Sequence, residues 1–157
     1  MTRRSYSVEV MEMPPDDRLI YLLFTAQQKL RTYLKKMMTK ENVRVTTAQA
    51  GILFLLKQKD GRTMSELSQI LSIDNSTITG LVDRLEKTGL VRRNASTHDR
   101  RASHVFINPQ GLEEVNKAKR VIRMVNQEIK NGFSAEEIES FNRILKSFFH
   151  KFDSGQT

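Results

Sequence analysis

What most restricts this chain is its punctuation: helix-start signals recur along it, each followed by apolar residues at helical spacing. Thr46 and Gln49 form a T-x-x-Q capping box, Thr63 and Glu66 a T-x-x-E box, and Ser134 and Glu137 an S-x-x-E box. In such a box the hydroxyl accepts from the N3 amide while the N3 side chain reaches back to the cap amide, which satisfies two orphan donors at once. Upstream, Met13-Pro14-Pro15 closes a loose arm over residues 1–15, because proline fixes φ and cannot continue a preceding helix. Asp16 and Asp17 sit where a helix N-terminus favours negative charge. Leu19, Leu22, Leu23, Leu30, Tyr33, Leu34, Met37 and Met38 then keep helical spacing to about residue 40. A second helix is predicted over 47–59 on Ala50, Leu53, Phe54 and Leu56, ended by the Asp60-Gly61 turn.

Two short amphipathic helices follow in direct succession. Behind Thr63, the residues Leu67, Ile70 and Leu71 give one apolar face about two turns long. Asp74 caps the next helix, whose stripe Ile78, Leu81, Val82 and Leu85 has the spacing i, i+3, i+4, i+7; Gly89 stands where a left-handed residue ends it. Two short helices on a tight turn make a helix-turn-helix, whose second helix can enter a DNA major groove. Residues 90–93 and Ser103–Ile107 are β-competent, and the polar, basic stretch 94–102 between them is too long for a two-residue turn, so a wing is predicted. Asn108 caps and Pro109 opens a long helix on Leu112, Val115, Ala118, Ile122, Val125 and Ile129, ended by Gly132. Ile138, Phe141, Leu145, Phe148, Phe149 and Phe152 stripe the last helix before a polar tail at 153–157. The fold class is therefore mainly α with a small β-wing: a winged helix-turn-helix region plus long terminal helices.

Charge narrows the partner. The 157 residues carry 26 Lys+Arg against 18 Asp+Glu, a formal +8, which points to an anionic partner for one compact domain. With no cysteine, disulfides, thiolate metal sites and thiol redox sensing are excluded. No apolar run approaches the roughly 20 residues of a membrane span, and the N-terminus lacks a signal-peptide core, so a cytoplasmic protein without membrane contact is expected. His98, His104 and His150 are scattered, and neither phosphate-loop nor dinucleotide-binding motif occurs. Ser96, Thr97, His98 and Asp99 have the residue types of a hydrolytic triad, yet neighbours on one loop rarely converge as a triad must. No catalysis, metal or cofactor is expected.

The run Ser76-Thr77-Ile78-Thr79-Gly80-Leu81-Val82-Asp83-Arg84-Leu85-Glu86-Lys87-Thr88-Gly89-Leu90-Val91-Arg92-Arg93, followed at wing distance by Asp99-Arg100-Arg101, resembles the MarR (multiple antibiotic resistance regulator) family of winged-helix transcription factors. The order of elements over about residues 16–152 is similar as well, with Ile107-Asn108 where the family often has Leu-Thr. The resemblance implies a homodimer whose subunits interleave through 16–45 and 109–152, and a winged helix-turn-helix at 46–108 that regulates transcription, as a repressor, from a pseudopalindromic operator. It also implies that the wing D-x-R, here Asp99 and Arg101, sets an arginine at the minor groove while the aspartate orients the loop. Members of the family commonly take small anionic or aromatic effectors. By that analogy Arg31, Tyr33, Met37, Phe54 and Met124 are candidates for a pocket, against the plainer reading that such apolar residues are core. A dimer is independently consistent with three apolar-striped terminal helices, which a monomer of this size would struggle to cover.

On a helical wheel, the face opposite Ile78, Leu81, Val82 and Leu85 shows Ser76, Thr79, Gly80, Asp83 and Lys87, flanked by Asn75, Thr77 and Arg84. Small hydroxyl and amide groups suit close approach to base edges and phosphates, Gly80 permits closer backbone approach, and Arg84 can pair with a guanine or bridge to a phosphate. Of these, Asn75, Ser76, Thr77, Thr79, Gly80 and Arg84 are the candidate reading residues. The wing contributes Arg92, Arg93, His98, Arg100 and Arg101, with Arg101 assigned to the minor groove, whose narrow stretches concentrate negative potential. Asp99 is expected to hold Arg101 or Arg84 in an ion pair. The basic run Lys29, Arg31, Lys35, Lys36, Lys40 and Arg44 reads first as a solvated helix face. A winged helix used for protein recognition is the rival reading, and it would call for apolar anchors on the second helix.

Overall fold

The computed structural model describes residue 12 and residues 14–95 and 103–152. Six helices and three short strands run in the order α1 (Pro15–Lys40), α2 (Thr47–Gln58), β1 (Arg62–Thr63), α3 (Met64–Leu71), α4 (Asn75–Lys87), β2 (Val91–Ala95), β3 (Ser103–Ile107), α5 (Pro109–Lys130) and α6 (Ala135–Lys151) among the described residues. The chain divides into two compact units, residues 1–121 and 122–157. The fold is a winged helix-turn-helix with a three-stranded antiparallel sheet.

In the first unit the core is built from α2, α3, α4, the strands and the start of α5. Ile52, Leu53, Leu56, Leu67, Ile78, Val82, Leu85, Leu90, Val91, Val105 and Val115 are all fully buried. The expected capping boxes form: Gln49 N–H donates to Thr46 Oγ1 and Thr46 N–H to Gln49 Oε1, and Thr63 and Glu66 exchange the same two bonds. The sheet order is β1-β3-β2, with Arg93 opposite Val105 and Thr63 opposite His104. Strand β1 is absent from the sequence reading because two residues carry no periodicity. It is made by the turn before it, where Gly61 adopts φ +70° and donates to the Val105 carbonyl.

Several boundaries move. Helix α1 begins at Pro15 itself, since proline's missing N–H costs nothing in the first turn. Strand β2 starts at Val91 and extends to Ala95, leaving Leu90 buried outside it with its carbonyl accepting from Asn108 N–H. Ile70, expected on the inner face of α3, is 49% exposed, whereas Leu67 is buried. The Asn108 side chain, read as a helix cap, bridges the wing base: its Nδ2 donates to the Gly89 carbonyl at 3.0 Å and its Oδ1 accepts from Arg92 at 3.1 Å.

One buried acid was not anticipated. Glu114 of α5, 1% exposed, accepts from the Arg44 amide in the α1–α2 connection and lies 3.4 Å from Arg44 Nε and 3.6 Å from Lys117 Nζ. Two cations and a backbone donor offset the desolvation of its carboxylate. Arg44 is thus a structural partner of Glu114, not simply a member of a solvated basic run.

In the second unit the S-x-x-E box forms between Ser134 and Glu137. Phe148 and Phe152 meet edge-to-face with centroids 5.4 Å apart, while Phe141, Leu145 and Phe149 of α6 are exposed. No helix among the described residues is long and apolar enough to cross a membrane.

Candidate nucleic-acid interface

Helix α4 is held by both ends and one face. At its head Asp74 Oδ1 accepts from Thr77 N–H at 2.8 Å and from Ser76 Oγ, and its Oδ2 accepts from Thr77 Oγ1 at 2.7 Å. The hydroxyls of Ser76 and Thr77 and the Thr77 amide hold the Asp74 carboxyl down at about 2. The α3–α4 turn is closed by left-handed Ser72 at φ +52° and by Ser68 Oγ donating to the Ile73 carbonyl at 2.6 Å. At the tail Gly89, at φ +74°, donates to Glu86 O, and Leu90 N–H donates to Leu85 O. This is a Schellman closure, which a Cβ at Gly89 would strain. Ile78, Leu81, Val82 and Leu85 face the core, as their spacing requires.

The other face is polar. Asn75, Ser76, Thr77, Thr79, Asp83, Arg84 and Lys87 are exposed and Gly80 half-buried, so the structure brings the six candidate reading residues of this helix together on one surface. A Cβ on Gly80 would lie 3.9 Å from Arg84 Nη2, because the arginine lies back over the glycine.

The wing cations are not equivalent. Arg93 turns onto α4: its guanidinium pairs with Asp83, its Nε lies 3.3 Å from Glu86 Oε2, and its amide donates to Glu86 Oε1 at 3.0 Å. The Nε–Glu86 contact is electrostatic and not aligned as a hydrogen bond. With its side chain 24% exposed, Arg93 is a fastener between strand and helix rather than a free cation. Arg92 stacks over the Phe106 ring at 5.2 Å while bonding Asn108. His98, Asp99, Arg100 and Arg101 lie outside the described residues. Asp83 and Glu86, unlike Asp99, carry no expectation of an ion pair from the sequence, yet they make the one at the wing base. Their signal was an i, i+3 acid pair on α4 within reach of a returning strand.

The candidate pocket residues are divided between the two units. Met37 is buried, Phe54 half-buried, Arg31 and Tyr33 exposed, and Met124 is an exposed residue of the other unit. The open cleft of that second unit, lined by Lys130, Phe133, Ile138, Arg143 and Lys146 among others, contains none of them.

Residues 45–103, from the buried Val45 to the first residue of β3, match the sequence model of the MarR family. Over that segment the chain is similar to a MarR-family domain. Among curated proteins it is similar to the HTH-type transcriptional repressor IacR of Pseudomonas putida, 29% identical over 103 residues, which is 66% of this chain and 62% of that protein's length. It is also 24% identical over 132 residues to the homoprotocatechuate degradative operon repressor of Escherichia coli, covering 84% of this chain and 88% of that one. A mutant MarR from E. coli, solved with operator DNA, superposes with a TM-score of 0.75 at 25% identity, covering 82% of this chain and 91% of that one. The repressor CouR, bound to a 23-mer duplex, shares the fold with a TM-score of 0.77 at 23% identity, over 89% and 94% of the two chains. Both of these curated relatives are transcriptional repressors by name, and the mutant MarR and CouR show a similar fold on DNA.

Proposed function

We propose that this chain is a MarR-family regulator, a sequence-specific DNA-binding transcriptional repressor that acts as a homodimer on a pseudopalindromic operator, with α4 in the major groove. The observation that carries the reading is the two-faced α4: four apolar side chains anchor one side, and the other presents hydroxyls, an amide, a half-buried glycine and Arg84, with no large apolar residue. Such a face suits base edges and phosphates. It lacks the apolar anchors that a protein-recognition helix would need. The names of its relatives support the same reading, one of them solved on operator DNA.

In this reading residues 46–108 bind DNA and residues 16–45 and 109–152 pair the subunits. Arg101 enters the minor groove with Arg100 beside it, and Asp99 orients the loop. Arg92 and Arg93 support the wing base. Release by a small anionic or aromatic effector completes the reading and rests on the family resemblance alone. Anisotropy titrations of wild type, Arg84→Ala and Arg101→Ala against the duplex upstream of the gene test the site. Each variant is expected to lose affinity and to lower the salt slope by roughly one unit with the fold intact. Three equal isotherms would remove α4 and the wing from DNA binding.

A further inference from the structure

The α4 face proposed to meet DNA carries three hydroxyls, and each of their protons points at a group that only accepts. Ser76 Oγ–H donates to Asp74 Oδ1, Thr77 Oγ1–H donates to Asp74 Oδ2 at 2.7 Å, and Thr79 Oγ1–H donates to the Asn75 carbonyl at 2.8 Å. An ionised carboxylate and a peptide carbonyl have no proton to give, so chemistry fixes the direction of all three bonds. Asp74 remains ionised at neutral pH, its carboxyl being held at about 2. What the exposed hydroxyls have left to offer is lone pairs. The cationic donors of the same helix, Arg84 and Lys87, stand farther toward its C-terminus.

We infer that Ser76, Thr77 and Thr79 read DNA as hydrogen-bond acceptors, so that the half-site position they meet must present an exocyclic amino group, cytosine N4–H or adenine N6–H, and not a keto oxygen. The inference rests on the DNA-binding reading above and adds the base chemistry to it. In the major groove those two amino groups are the donors, whereas guanine O6 and thymine O4 are acceptors. A keto oxygen set against these hydroxyls meets lone pair with lone pair. To donate to it, Ser76 or Thr77 must release Asp74 and weaken the bonds that begin the helix. Asp74 therefore acts as a positioning residue that sets the polarity of Ser76 and Thr77 without itself touching a base, while the Asn75 carbonyl sets that of Thr79.

The test starts from duplexes selected by the full-length protein out of a pool randomised across an operator-length site. Single amino groups are then deleted from the selected duplex, with 2-pyrimidinone replacing cytosine and purine replacing adenine. At least one deletion is expected to weaken the wild type roughly fivefold, about the worth of one hydrogen bond. That deletion should have no further effect in whichever of Ser76→Ala, Thr77→Val or Thr79→Val lacks the contact. Asp74→Asn gives a readout that lost stability cannot mimic. Asparagine still caps the helix, but its Nδ2 donates to a hydroxyl oxygen and turns that hydroxyl's proton outward. Selection with Asp74→Asn should accordingly move a position coupled to Ser76 or Thr77 from cytosine or adenine to guanine or thymine, and leave one coupled to Thr79, whose proton goes to the Asn75 carbonyl, where it was. If no amino deletion matters, or if the hydroxyl variants lose coupling to a keto oxygen instead, the inference is overturned and the DNA-binding reading stands. A pool from which no sequence is enriched overturns both.

Discussion

Asp74 and Arg93 perform related work at opposite ends of α4, and neither role is a property of the residue alone. Asp74 gathers two hydroxyls and an amide, which favour its charged form. Its folded-state pKa, at about 2, lies below the ordinary 3.8, so the stabilisation it contributes is present above about pH 4 and lost as pH falls through 2. Thermal melts of wild type and Asp74→Ala should therefore differ in Tm at neutral pH and converge as the pH is taken down through that window. Parallel Tm values across the whole range would mean that the carboxylate stabilises nothing. Arg93 has its charge matched by Asp83 and Glu86, and as a half-exposed pair this is worth about 1 kcal/mol or less. Its loss should matter more for DNA, because it leaves Asp83 unpaired on the face proposed to meet DNA, with Glu86 unpaired beside it. Arg93→Ala is expected to weaken binding while leaving the salt slope at its wild-type value, in contrast to Arg84→Ala. A slope reduced by one unit would show that Arg93 contacts a phosphate directly.

At the scale of elements, legibility followed locality. The capping boxes, the α4 stripe and the Gly89 closure are made by residues within seven positions of one another, and they stand in the structure where the sequence puts them. Features that depend on a partner distant in the chain were not legible. Strand β1 exists through Val105, the charge of Glu114 is tolerated through Arg44, and Arg93 is diverted by Asp83. Asn108 was placed correctly before its helix but is engaged by Gly89 and Arg92, neither of which its own neighbourhood reveals. Of the candidate site, the α4 residues lie exposed beside a buried stripe, as their spacing requires, whereas the effector residues were grouped by analogy and carry no spacing signal of their own. The junction of α5 with the wing base gives a direct check on this packing. A Cβ on Gly111 would stand 2.3 Å from the Leu90 carbonyl oxygen and 2.8 Å from Ile107 Cγ1. Gly111→Ala should destabilise the fold by about 1–3 kcal/mol, measured by urea unfolding, since backbone cannot yield as a flexible side chain does. An unchanged midpoint would contradict the packing at that junction.

At the scale of the molecule, apolar surface points to the assembly proposed above. Leu19, Ile20 and Phe24 on α1 are exposed, and Phe149 on α6 and Phe152 just after it are 70% and 72% exposed in the single chain. Solvated aromatic surface of this kind marks an interaction face. Sedimentation equilibrium should give twice the chain mass of 18.2 kDa, and Phe149→Glu should shift the protein toward monomer and lower its apparent operator affinity together. A wild-type monomer at micromolar concentration would remove the dimeric half of the account. Its central claim, that α4 and the wing read a DNA sequence, is met most directly by titrating the protein into the duplex upstream of its gene, with a scrambled duplex as competitor at near-physiological salt. Saturable binding of one dimer per site, surviving an excess of the scrambled competitor, is the expected result. Binding that is equal for both duplexes and abolished by modest salt would contradict it, because only nonspecific phosphate attraction would then be left.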